Sequence, residues 1–131
     1  MLEFSKQQRL LRRIEFTKTM DAGTKVVTPH LVLIGRRNDE ALSKIGFIVS
    51  KKVGGAVIRN LVKRRLREIF RTRLHKPQGI DIVVIARGLA AEADFDEVAR
   101  SFHSALDRLQ NRLQRSTTNV KTISPVVQPL S

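Results

Sequence analysis

Between Lys51 and Arg73 the chain reads KKVGGAVIRNLVKRRLREIFRTR, nine Lys or Arg against one acid, Glu68. The chemistry such a segment offers is phosphate recognition. A row of fixed cations matches a polyphosphate better than it matches any small anion. Threaded through the cations is an apolar series, Val57, Ile58, Leu61, Val62, Leu66, Ile69 and Phe70. At about 100° per residue the two sets sort onto different faces of a helix. Arg59, Lys63, Arg67, Asn60, Arg71 and Arg64 fall, in that angular order, within an arc of roughly 140°. Ile58, Ile69, Val62 and Leu66 fall on the other side, while Phe70 intrudes on the basic arc and Arg65 on the apolar one. The expectation is one helix that packs by one face and shows a row of cations on the other.

The formal charge of +13 on 131 residues, with a pI near 11.4, agrees with that expectation. Charge of this size speaks to partners, not to fold. It calls for a polyanion: nucleic acid, or an anionic membrane surface. The competing reading is a solvated helix on a merely basic protein, but a solvated face usually mixes signs.

No catalytic constellation accompanies the cations. His30, His75 and His103 read as structural or solvent-exposed side chains. Asp94, Asp96 and Glu97 cluster at a helix start, where capping accounts for them. Ser50 has no base nearby in sequence. Gly54-Gly55 lacks the full phosphate-loop pattern, although two glycines before a helix allow backbone amides to approach a phosphate; a plain turn is the alternative. There is no Cys, hence no disulfide framework, thiolate site or Cys nucleophile. No apolar run approaches the roughly 20 residues of a membrane span, and MLEFSKQQRLLRRIEF lacks the apolar core and cleavage site of a secretion signal.

The elements that must position the basic segment read as follows. A short helix is expected over about 12–21, closed by Gly23 as a left-handed cap. KVVTPHLVLIGRR reads as a strand over about 25–37, with Pro29 arguing for an edge or a bulge. Asn38 to Ala41 reads as a turn, and Ser43 to Ser50 as another strand. The basic helix runs to about Arg73 and is broken at Lys76-Pro77-Gln78-Gly79. IDIVVIAR, 80–87, reads as a strand buried on both faces, and 88–93 as a loop. Asp94 and Glu97 form a variant capping box. Phe95, Val98, Phe102, Leu106, Leu109 and Leu113 then mark an amphipathic helix of about 20 residues. From Ser116 the chain reads as a disordered tail, leaving 1–115 as one domain. The class is α+β: a small, mainly antiparallel sheet with helices on one face. Phe16, Met20 and Ile34 would then lie on the uncovered face, as core or as a surface on which bases stack.

At Ser50-Lys51-Lys52-Val53-Gly54, followed by Ala56-Val57-x-Arg59-Asn60-x-x-Lys63-Arg64-x-x-Arg67, the sequence resembles the protein component of bacterial ribonuclease P. The resemblance runs from about Arg9 to Leu109. It implies the order α-β-β-β-α-β-α, with the basic helix in a left-handed βαβ crossover against the usual rule. It implies that RNA is the catalyst and that the protein assists removal of the 5′ leader from precursor tRNA. Mg2+ held mainly by the RNA would activate the attacking water. The implied partners are the catalytic RNA and precursor tRNA, in the cytoplasm, with no membrane and no protein oligomer required. Arg59, Asn60, Lys63, Arg64 and Arg67 match the RNA-binding signature, with Lys51, Lys52 and Arg71 beside it. Phe16 matches an aromatic of the leader cleft, flanked by Met20 and Ile34. The chain departs from the pattern at Met20 and Ile34, where many relatives carry aromatics, and it has no Tyr. Apolar and backbone-phosphate contacts would then carry more of the leader binding. A plain RNA-binding module, such as a ribosomal protein, and a protein-only nuclease are the rival classes. The full signature disfavours the first, and the lack of clustered His or carboxylates the second.

Overall fold

The apolar run at 80–86 becomes an inner strand of the sheet. The computed structural model describes residues 12–38 and 43–122. Its elements are α1 (Arg13–Ala22), β1 (Thr24–Val27), β2 (Leu31–Arg37), β3 (Lys44–Ile48), α2 (Ala56–Thr72), β4 (Ile80–Ala86), α3 (Leu89–Glu92) and α4 (Phe95–Thr122). They form one four-stranded sheet in the order β1-β2-β4-β3. β2 pairs antiparallel with both β1 and β4, whereas β3 runs parallel to β4. The sheet is therefore mixed, and α2 is the crossover joining its parallel pair.

Alternation along β4 explains its burial. Ile80, Ile82, Val84 and Ala86 point to the face covered by α2 and α4 and enter the main core. Val83 and Ile85 point to the other face, where they meet Ile34, Val32, Ile48 and Phe16. The main core is filled by Leu66, Ile69 and Phe70 of α2 and by Phe102, Ala105, Leu106 and Leu109 of α4, all at most 2% exposed. The Phe70 and Phe102 rings stack with centroids 6.4 Å apart. α4 starts as expected: Asp94 Oδ1 accepts from the Glu97 N–H at 2.8 Å, and Glu97 Oε1 accepts from the Asp94 N–H at 3.4 Å.

Several expectations are corrected. Helices cover both faces of the sheet, not one, because α1 lies across β2 and β4 on the side opposite α2. Gly23 is extended (φ −81°), not left-handed. Glycine is required there by crowding: a Cβ would sit 2.5 Å from the Thr19 carbonyl oxygen and 2.6 Å from Ile34 Cγ2. The single strand over 25–37 is a hairpin with Pro29 in its turn. Thr28 closes that turn, its Oγ1 accepting from the N–H groups of His30 and Leu31. Residues 88–93 hold the short helix α3. α4 continues through Thr122, so the first part of the segment read as tail is helical. Residues 123–131, the N-terminal 1–11, and most of the turn expected after Asn38 lie outside the described residues.

Candidate nucleic-acid interface

The geometry of the basic helix begins in the turn before it. The Val53 N–H donates to the Ser50 carbonyl at 3.0 Å and the Gly54 N–H to the Lys51 carbonyl at 3.2 Å. This turn leaves Lys51 and Lys52 exposed at the entrance to α2. A Cβ on Gly54 would lie 2.9 Å from Ile58 Cγ2. The Gly54 carbonyl accepts a hydrogen bond from Arg59 Nε at 3.1 Å. Arg59 thus braces the turn that presents the two lysines.

Along α2 the two faces separate as the spacing predicts. Val62, Leu66, Ile69 and Phe70 are buried. Phe70 does not intrude on the outer face; it turns inward against Phe102. Asn60, Arg64 and Arg67 are exposed, and Lys63 and Arg71 are half-buried at the flanks. Among the described residues no acid pairs with Lys63, Arg64 or Arg67. Arg71 is paired with Glu68 one turn back, so part of its charge is already engaged. Ile58, expected on the apolar side, is 44% exposed.

Sequence reasoning missed two members of the outer face. Val57 is 83% exposed and Leu61 36%. With Asn60, Lys63, Arg64 and Arg67 they line a shallow groove. Both lie just beyond Arg64 on the helix surface, roughly 20° and 60° from it, a signal that a purely apolar tally hides. A cationic surface bordered by two aliphatic side chains suits a ligand that brings phosphates together with sugar or base faces. At the far end, Arg73 fastens α2 to α4. Its Nη2 bonds Asp107 Oδ1 at 2.5 Å, its Nη1 lies 2.8 Å from His103 Nδ1, and its Nε donates to the His75 carbonyl at 2.7 Å. Burial, then the adjacent Arg73 charge, hold His103 below the usual histidine range against the pull of Asp107. Its folded form therefore favours neutrality. That contribution is complete above the ordinary histidine pKa and is lost as pH falls through the depressed value.

The second surface is the sheet face under α1. Phe16 is half-buried and lies over Gly46, where a Cβ would fall 2.1 Å from Phe16 Cζ. Ile34 is only 4% exposed, sealed beneath α1, so it is a packing residue here and not an open cleft wall. Met20 is 42% exposed. Val32, Ile48 and Ile85 are the partly open apolar neighbours of Phe16 on this face. Glu15 Oε2 accepts from Lys44 Nζ at 2.6 Å, and its other oxygen accepts from the Arg12 N–H at 2.7 Å. Burial opposes the charge on Glu15. The Lys44 and Arg12 hydrogen bonds and their positive charges outweigh it and hold the carboxyl below its ordinary range. The contribution of this pair is present above the ordinary carboxylate pKa and is lost as pH falls through the depressed one.

The family model of Ribonuclease P matches residues 4–110, which span both surfaces. The chain belongs to the ribonuclease P protein family. It is the protein subunit of the ribonucleoprotein endoribonuclease that acts in tRNA 5′ processing, and its partner is the catalytic RNA. Among its relatives, the ribonuclease P protein component of Citrifermentans bemidjiense is 37% identical over 109 residues, covering 83% of this chain and 94% of the relative. That of Dehalococcoides mccartyi strain 195 is 45% identical over 102 residues, covering 78% and 84%. The ribonuclease P protein of Thermotoga maritima superposes with a TM-score of 0.68 at 34% identity, covering 78% of this chain and 96% of its own. A Staphylococcus aureus ribonuclease P protein, a mutant described as defective in mRNA degradation activity, superposes with a TM-score of 0.74 at 29% identity, covering 80% and 90%. Both solved ribonuclease P proteins share the α+β architecture described above. Among the described residues no helix is long and apolar enough to cross a membrane.

Proposed function

We propose that the outer face of α2 docks the catalytic RNA and that the α1 face of the sheet receives the 5′ leader of precursor tRNA. The observation that supports this most is the separation on α2: Leu66 and Phe70 are buried while Arg64 and Arg67 stand exposed on the same helix. Asn60, Lys63, Arg64 and Arg67, with Lys51 and Lys52, make the direct contacts. Arg59 acts chiefly by bracing the turn, and Arg71 contributes what charge Glu68 leaves it. In this reading no residue of the chain is catalytic. In the same reading the magnesium that the family requires is held mainly by RNA. One protein copy in the cytoplasm, its domain formed by residues 1–115, completes the proposal.

The test is the salt dependence of binding to the catalytic RNA. Lys63→Ala, Arg64→Ala and Arg67→Ala should each lower the slope of log affinity against log salt by about 0.7 to 0.9. Arg59→Ala should lower it less and loosen the turn. Unchanged slopes in all four would remove α2 from the interface. For the leader, losing one stacking ring typically costs roughly 1 to 3 kcal/mol. Phe16→Ala should therefore weaken holoenzyme binding of precursor tRNA and leave mature tRNA nearly unaffected, with circular dichroism to confirm folding. Because the Staphylococcus neighbour is described in terms of mRNA degradation, an mRNA arm belongs beside precursor tRNA in any cleavage assay.

A further inference from the structure

α1 is a lightly anchored helix. Ile14 is 61% exposed and Met20 42%, so neither contributes a full apolar anchor. Thr19 is fully buried, yet its hydroxyl finds no hydrogen-bond partner among the described residues. Among the described residues, the Phe16 ring over Gly46, the close approach at Gly23 and the ion pair of Glu15 with Lys44 hold α1 to the sheet. That ion pair, Glu15 with Lys44, spans 2.6 Å, and each side chain is 13% exposed. Glu15 has two duties. Through one oxygen it accepts the Arg12 N–H at the start of α1, and through the other it grips β3. The same carboxylate thus starts the helix and fixes where it lies.

Lys44 is well placed for this. It is the first residue of β3, in register beside Asp81 of β4, and Asp81 is itself held by Arg36 and Asn38. The grip is therefore on the rigid, charged end of the sheet. Phe16, next to Glu15, hangs over the open aliphatic residues Val32, Ile48 and Ile85. The ion pair thus sits on the helix that carries Phe16, while α2 lies on the opposite face of the sheet.

We propose that the Glu15–Lys44 pair is a positioning device for the leader cleft. It sets the seat of α1, and so of Phe16, without touching RNA. This rests on the leader-cleft reading above. In holoenzyme reconstituted with a bacterial ribonuclease P RNA, Lys44→Met and Glu15→Ala should each lower the ratio of precursor to mature tRNA affinity about tenfold. That lies within the coupling seen between contacting charged residues. Lys44→Arg should keep most of the ratio, and affinity for the catalytic RNA should stay at the wild-type value in all three. An unchanged ratio in folded Lys44→Met overturns the proposal, as does a parallel loss of catalytic-RNA affinity, which marks a general structural role. If the single variants do not fold, Glu15→Gln decides, since it keeps an acceptor for the Arg12 N–H and removes the charge that grips Lys44: a lowered ratio supports the positioning role and an unchanged one refutes it. Should Phe16→Ala also leave the ratio unchanged, the leader-cleft reading itself has failed, a result distinct from failure of the ion pair alone.

Discussion

Freed of RNA, the protein should leave precursor tRNA uncut; added to the catalytic RNA at low magnesium, it should raise cleavage strongly. The first half follows from the side chains. The histidines stand apart: His30 bonds Ser101, His103 lies against Arg73, and His75 is exposed beyond the end of α2. The buried acid Asp81 is bound to Arg36 and Asn38. His30, His103 and Asp81 are thus each engaged with another side chain of the protein. The second half follows from charge. A folded RNA and its tRNA substrate repel each other, and divalent ions ordinarily screen that repulsion. A protein face that neutralises about four phosphates gives a salt slope near 3. A fourfold change in salt then alters affinity roughly a hundredfold. The measurement is cleavage by the protein alone, by the RNA alone and by both, across a magnesium series. Cutting by rigorously RNA-free protein, or no gain from combining the two at low magnesium, would refute this division of labour.

Leu66→Ala should destabilise the fold by about 2 to 5 kcal/mol, whereas Arg67→Ala, one residue on, should change stability by no more than about 0.5 kcal/mol. Leu66 is 0% exposed and sits in the core that α2 shares with α4 and the sheet. Truncating it removes buried methyl groups and leaves a void that rigid neighbours fill poorly. Against a typical stability of about 5 to 15 kcal/mol that loss is a large fraction. Arg67 points outward, so its loss should appear in RNA binding. Urea unfolding of both variants beside their affinity for the catalytic RNA separates the two effects. If Arg67→Ala unfolds the protein and Leu66→Ala does not, the faces of α2 are reversed.

Where pattern and packing agree, the sequence was readable. The buried stripe of α2 is legible at Val62, Leu66 and Ile69, whose heptad-like spacing leaves few ways to bury them other than together. β4 reads as buried on both faces because a nearly continuous apolar run, interrupted by Asp81, suits a strand covered on both sides. The hairpin at Thr28–His30 was hidden because Val26, Val27, Leu31 and Val32 are apolar on either side of Pro29, and one turn residue carries little weight in such a run. The seat of α1 was hidden for another reason. The helix lacks a continuous apolar stripe, and what fastens it, Lys44 and the gap above Gly46, is contributed by distant sequence. That is also why Ile34 read as a cleft wall: only α1 lying over it makes it core. Val57 and Leu61 were counted as apolar when their position on the helix, not their type, decides that they face out.

The placement of β4 has a consequence for how the chain is made. β2 and β3 do not touch each other; β4 lies between them and pairs with both. While a ribosome has delivered only as far as Arg73, no sheet beyond the β1–β2 hairpin can close, and α2 has neither β4 nor α4 beneath it. A nascent, strongly cationic amphipathic helix therefore emerges with its apolar stripe open, in a compartment crowded with RNA. The full sheet can close only once β4 is available to lie between its two neighbours, and the core only once α4 can cover it. Such dependence on contacts distant in sequence slows folding relative to a helical bundle of equal size. Until that insertion, RNA can meet the cations of α2 but not the surface that the finished fold presents.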